Sequence, residues 1–155
     1  MGCCLLIVKV ETTHEAVQMI IYYLFFIDSI RLGMHITAIR RFIKDHPRAK
    51  AEHLTTSQLN SAAVKPESLG MGNPYISKYL DLCDSKTGKP LVAPATVFVS
   101  HAWRYSFYDV VVDAMEQHAK EHPDAYFWFD LFTNNQNEVA SKDFDWFKTT
   151  FRGGV

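Results

Sequence analysis

Apolar and polar residues alternate along this chain in two distinct rhythms, and the change between them falls near residue 90. Before that point the spacing is helical. Thr12–Glu15 has the Thr-x-x-Glu form in which a side-chain hydroxyl and a glutamate close the first turn of a helix. The helix predicted from there runs through the apolar stretch from Met19 to Ile27 and stops at Gly33. A second helix, from Thr37 to about Asp45, places Ile36, Ile39, Phe42 and Ile43 on one face and ends before Pro47. A third starts at Thr55 and finishes before Pro66. A fourth opens at Asn73 and Pro74, with Tyr75, Ile76, Tyr79, Leu80 and Cys83 recurring at helical spacing.

The stretch from Asp84 to Pro90 is turn chemistry and reads as a linker. Beyond it, the segment from Ala95 to Ser100 is short, β-branched and almost wholly apolar, as a strand buried on both faces must be. Ser106–Asp109 caps a helix that turns Phe107, Val110, Val111, Ala114 and Met115 inward and ends near Pro123. The segment from Ala125 to Asp130 is a second buried strand. Strand, helix and strand make a βαβ unit, whose right-handed crossover sets the two strands parallel. The stretch from Ser141 to Phe151 is amphipathic, with Phe144, Phe147 and Phe151 near one face. Two parallel strands leave both outer edges unpaired, so the expectation is an incomplete α/β unit preceded by an α-helical N-terminal region. The divisions that follow are 1–50, a helical extension; 51–94, a helical lead-in and linker; and 95–155, half of an α/β domain.

Composition adds bounds. The chain has 155 residues, 48% of them hydrophobic and 21% charged, and a formal charge of -1. That size suits one domain with extensions, and that charge gives no reason to expect nucleic acid as a partner. The nine-residue apolar run from Met19 to Ile27 is cut by Asp28 and Arg31. A spanning helix needs roughly 20 apolar residues, so a core or interface element is expected instead. Three cysteines, Cys3, Cys4 and Cys83, have no metal-ligand spacing, and a reducing, cytoplasmic setting is the default. Gly2, Cys3 and Cys4 form a weak lipidation start: Gly2 could take myristate and either cysteine palmitate, but Leu6 stands where Ser or Thr belongs. Membrane contact is therefore possible at most peripherally.

Candidate chemistry collects at the carboxyl ends of the two strands, where open α/β sheets bind ligands. The first end offers Ser100, His101, Trp103 and Arg104. The second offers Asp130, Asn134, Asn135 and Gln136. Hydrogen-bonding groups beside aromatic walls suit a nucleotide or sugar. The same residues also read as loop chemistry, with Asp130 holding His101 and Trp103 serving as packing. His118–His122 has the His-x-x-Glu-His form of a zinc site but sits at a solvated helix end without a third ligand, and no metal is expected. Arg40, Arg41, Lys44, Arg48 and Lys50 make a short basic stripe that reads as a solvated face.

The segment from Val97 to Trp103, Phe107 downstream, and the segment from Tyr126 to Gln136 resemble a Toll/interleukin-receptor-like (TIR-like) group found in large protist and algal proteins. The second segment also resembles the aromatic-Asp-x-x-x-Asn-Gln signature of fungal heterokaryon-incompatibility (HET) domains. The stretch from Leu54 to Asn60, with Val64 to Pro66, is similar to what precedes the first strand in the TIR-like group. The resemblance covers about residues 54 to 151. It implies a flavodoxin-like fold used in self-association and signalling, with NAD cleavage in some members. Ser100, His101 and Trp103 fall on its first loop, and Asp130, Asn135 and Gln136 on its second signature. Thr133 and Asn134 depart from the HET pattern of a cysteine and an aliphatic residue. The later helix that carries the catalytic glutamate of NAD-cleaving members is not expected here, and Glu138 is not at that position.

The function expected is a non-catalytic interaction module that needs no cofactor and pairs with itself or with a full-length TIR-like protein. The alternatives are a nucleotide-binding or NAD-cleaving enzyme domain, and a truncated product without independent function.

Overall fold

The computed structural model describes residues 32–138 in full and residues 5–10 and 17–22 by their backbone. Gly2, Cys3, Cys4 and the predicted amphipathic segment from Ser141 to Phe151 lie outside the described residues. The chain is a mixed α/β fold. Its strands are β1 (Leu5–Val10), β2 (Val17–Tyr22), β3 (Leu32–His35), β4 (Val92–Pro94), β5 (Val97–Val99) and β6 (Tyr126–Phe129). Its helices are α1 (Ile36–Asp45), α2 (Arg48–Ala51), α3 (Thr56–Leu59), α4 (Lys65–Leu69), α5 (Asp113–Glu121) and α6 (Asp130–Thr133). A π-helical stretch (Asn60–Val64) joins α3 to α4, and a second (Phe107–Val112) leads into α5.

The strands form one sheet in the order β1-β2-β5-β6-β3-β4. β5 and β6 are parallel, with Val97 opposite Phe127 and Val99 opposite Phe129, and the helical segment 107–121 is their crossover. The βαβ unit expected from the sequence is therefore present. Its neighbours are antiparallel: β2 beside β5, and β3 beside β6. The two edges expected to stand unpaired are thus covered by strands of the same chain.

Those strands overturn the first predicted helix, whereas the second, from Thr37 to about Asp45, is present as α1. Residues 17–22 and 32–35 are strands where one helix was expected to run from Thr12 to Gly33. A continuous apolar run lacks the polar positions that separate period 2 from period 3.6, so periodicity alone cannot distinguish a buried strand from a buried helix. Gly33 is a close approach rather than a helix stop. A Cβ there would lie 2.9 Å from the Tyr126 carbonyl carbon and 3.0 Å from both the Phe127 carbonyl carbon and the Ala95 Cβ. No helix among the described residues is long and apolar enough to cross a membrane.

Three further expectations need correction. Pro66 does not end the third helix: the helical segment 56–69 runs through it, directly after the π-helical stretch Asn60–Val64 that shifts the hydrogen-bond register. Residues 75–79 are a 3₁₀ helix, with Ser77 and Leu80 N–H each bonded three residues back. Tyr75, Ile76 and Tyr79 are buried, but Leu80 is 46% exposed and Cys83 is exposed, because the helix ends before they could join that face. The segment after Asp84 is no linker: Asp84 Oδ1 accepts from the Lys86 and Thr87 N–H, Gly88 takes φ +71°, and Cys83 bridges Pro90 on the way into β4.

The expected divisions 1–50, 51–94 and 95–155 each contribute residues to a common core. One hydrophobic cluster runs from Met34 to Phe132 across all three parts. At its centre Phe42 of α1 meets the rings of Phe107 (5.8 Å between centroids), Phe132 (4.8 Å) and Tyr75 (5.4 Å), each edge to face. Phe127 and Phe129 of β6 form the floor of this cluster, both with almost no exposed surface.

Candidate functional site

The loop after β5 is held from outside by the start of α3. Thr55 caps that helix in a reciprocal box with Gln58. The first helical N–H groups have no partner within a helix. Here Thr56 N–H donates to the Tyr105 carbonyl and Ser57 N–H to the Trp103 carbonyl, both at 3.0 Å. Phe107 N–H returns the connection to the Leu54 carbonyl at 2.9 Å. The loop carrying His101 and Trp103 is therefore fixed by backbone bonds to a helix end.

His101 lies beneath this loop with its side chain 1% exposed. Its ring meets Phe129 edge-on at 4.8 Å and Trp103 at 5.7 Å. Nδ1 is 3.7 Å from Asp130 Oδ1, too long for a hydrogen bond, and Nε2 has no partner. Burial lowers the imidazole to about 4, so it is neutral at ordinary pH. Burial raises the Asp130 carboxyl to about 6, against the Leu131 N–H and the Trp103 side chain, which favour the ionised form. Despite their proximity the two groups are not an ion pair at neutral pH: an uncharged imidazole faces a carboxylate. Asp130 Oδ1 is buried and unpartnered, although the side chain as a whole keeps 26% exposure.

Gln136 is buried and spent on the framework. Its Nε2 donates to the Asp130 carbonyl at 2.6 Å, and its Oε1 accepts from Asn60 Nδ2 at 3.3 Å. Asn135 is spent likewise, donating to the Gly72 carbonyl at 3.3 Å and accepting from the Asn137 N–H at 3.2 Å. Arg104 is exposed, its guanidinium 6.0 Å from the Tyr105 ring centroid. Ser100 is half-buried. Of the residues expected at the site, His101, Trp103 and Asp130 come together, Gln136 braces them from behind, and Asn135 serves a different loop.

Two residues absent from that expectation also carry buried polar atoms without partners. Thr56 and Asn60 are buried one turn apart on the helical segment 56–69, and Thr56 Oγ1 and Asn60 Oδ1 have no partners. The signal that could have found them is a pair of polar residues on a face whose other members, Leu59, Ala63 and Val64, are buried and apolar. Clefts of about 380 Å³ beside Arg40, Tyr108 and Glu116 and about 450 Å³ beside Leu32, Ile76 and Trp128 are lined by neither His101 nor Asp130. Among the described residues, no group of three or more His, Cys, Asp and Glu side chains could hold a metal ion. His118 is buried, and its ring lies 4.5 Å from that of His122 and 5.8 Å from that of Phe127.

Comparison with family models, curated proteins and solved structures finds no match to this chain.

Proposed function

We propose that the chain is a TIR-like interaction and signalling module of flavodoxin-like class. It acts by pairing with a second copy or with a longer TIR-like protein, and it does not itself turn over a substrate. The observation that carries this reading is the commitment of the second signature. Gln136 and Asn135, which a nucleotide site would need free, are bonded to Asp130, Asn60, Gly72 and Asn137 within the protein. A second support is the sheet order, in which β1 has β2 as its sole partner among the described strands. A strand in that position offers a row of backbone groups to which another chain can add. Sedimentation velocity of the purified protein over a wide concentration range tests the proposal. Concentration-dependent dimers or larger species are expected. A monomer at every concentration, alone and mixed with longer TIR-like proteins, would refute it.

The second reading, a nucleotide-binding or NAD-cleaving domain, is favoured by one observation: the orphaned polar atoms of His101 and Asp130 at the parallel strand ends. It predicts a melting shift with NAD and loss of NAD on incubation. Absence of both would remove it.

A further inference from the structure

His46 closes the end of α1, and both of its ring nitrogens face groups that can only accept. Nδ1 lies 2.8 Å from the Phe42 carbonyl oxygen, and Nε2 lies 2.6 Å from Glu67 Oε1. A neutral imidazole carries one N–H and one bare lone pair. With hydrogen on Nδ1 the lone pair of Nε2 faces a carboxylate; with hydrogen on Nε2 the lone pair of Nδ1 faces a carbonyl. Both contacts are hydrogen bonds together only when a second proton sits on the ring. The ring stacks on Phe42 at 4.2 Å and its side chain is 16% exposed, which leaves little room for water to replace either partner.

The groups around the ring put that proton on it rather than on Glu67. The cleft of about 250 Å³ beside it is lined by Arg41 and Asp45 of α1, Glu67 of α4, and Tyr75, Lys78 and Tyr79 of the 3₁₀ helix. Burial pushes the Glu67 carboxyl up, but hydrogen bonds from His46, Lys78 and Tyr75 outweigh it and hold the group at about 2. Burial raises the Tyr75 and Tyr79 hydroxyls, so both keep their hydrogens at neutral pH. Arg41 and Asp45 carry opposite charges and are exposed. Imidazole is the one side chain of this cluster whose ordinary charge change falls between about pH 5 and 8.

The contact joins two parts of the fold. Glu67 Oε1 takes His46, while Oε2 takes the Tyr75 hydroxyl at 2.7 Å and Lys78 Nζ at 2.6 Å. His46 thereby ties the end of α1 to the helical layer 65–79. That layer also supplies acceptors to the loop after α6: the Lys65 carbonyl and Ser68 Oγ for Asn137, and the Gly72 carbonyl for Asn135.

We infer that His46 is a proton-dependent clamp: the doubly protonated ring pins α1 to residues 65–79, and loss of its second proton releases them. Glu67 stays ionised throughout the mildly acidic and neutral range, so the ring proton alone decides. The stabilisation is therefore greatest at mildly acidic pH and falls as pH rises. The clamp lies within one chain, and neither depends on the pairing proposed above nor is required for it.

The test is amide hydrogen exchange of the full chain from about pH 5 upward, until the ring has lost its second hydrogen. Each rate is divided by the intrinsic rate at that pH, and the His46 ring nitrogens are followed by NMR in the same samples. Both nitrogens are expected to carry hydrogen at the lower end. As one is lost, exchange in residues 65–79 should accelerate about tenfold or more along the same titration curve, with Tyr126–Phe129 unchanged. Glu67→Gln presents an amide that can donate to a bare Nε2, and His46→Gln removes the ring; in each variant shown by its near-UV spectrum to be folded, the step should vanish. A ring that lacks one hydrogen at about pH 5, or exchange in 65–79 that stays flat across the titration of the ring, would overturn the inference. So would a step that survives in either folded variant.

Discussion

The His101–Asp130 pair makes a quantitative prediction about pH in which the intact protein hides what its variants reveal. In the folded chain the imidazole titrates near 4 and the carboxyl near 6. In the unfolded chain the ordinary values are about 6.5 and 3.9. Between about pH 4 and 6 the folded pair therefore holds one proton, on Asp130, and the unfolded pair also holds one, on His101. Stability changes with pH only where the two states bind different numbers of protons, so the pair contributes almost no slope in that range. Asp130→Asn leaves His101 alone. Its lowered value means that the unfolded state takes up a proton first as pH falls, so stability should drop from about pH 6.5 down to about 4. At about 1.4 kcal/mol for each pH unit between those limits, the loss reaches about 3 kcal/mol. His101→Phe leaves Asp130 alone, with the opposite sign. Its raised value means that the folded state takes up the proton first, so stability should climb by about 3 kcal/mol as pH falls from about 6 to 4. Urea denaturation of the three proteins across this range, each variant read as a difference from the parent, isolates the pair from every other titrating group. If both differences are flat, or slope the same way, the two groups are not buried as described.

Other consequences follow from single contacts. Gln136→Leu orphans both the Asp130 carbonyl and the Asn60 amide; at about 1–3 kcal/mol for each, it should cost about 2–6 kcal/mol in a denaturant titration. Gly33→Ala drives a methyl against the backbone of β6, and a loss of about 1–3 kcal/mol is expected by the same assay. Phe42→Ala removes the ring at the centre of the core and should cost about 3–5 kcal/mol, with loss of near-UV ellipticity. Burial pushes the Glu67 carboxyl up, but hydrogen bonds from His46, Lys78 and Tyr75 outweigh it and hold the group at about 2. The stability advantage of the parent over Glu67→Gln should therefore be present above about pH 4.5 and vanish as pH falls toward 2.

The central βαβ unit was legible because its signals are local and redundant. Val97–Val99 and Tyr126–Phe129 are apolar throughout, and Ser106 accepts from the Asp109 N–H as its Ser-x-x-Asp spacing requires. The strands β2 and β3 were not legible. Val17–Tyr22 lacks the polar alternation that fixes a period, and the pairing that makes Leu32–His35 a strand comes from residues far away in the chain. The π-helical stretch at Asn60–Val64 was equally hidden, since a helix continuing through Pro66 depends on a shift of register that composition does not encode. At the site, the proximity of His101, Trp103 and Asp130 was legible because they lie just after adjacent strands. The hydrogen bonds of Gln136 and Asn135 were not, since the same amide can face a ligand or a carbonyl and only the fold chooses.

The pairing of β3 with β6 has a consequence for how the protein is made. Met34 faces Phe127, a separation of 93 residues (127 − 34). At roughly 5–20 residues per second of synthesis, about 5–20 s pass between the emergence of β3 and that of the strand it joins. Its other neighbour, β4, emerges earlier, and Leu32–His35 can pair with Val92–Pro94 before β6 exists. During that interval the short antiparallel pair of β3 and β4 must wait with its inner edge open. A ribosome-bound chain stalled before Ala125 should be a substrate for chaperones that hold apolar strands, and one extended past Thr133 should not.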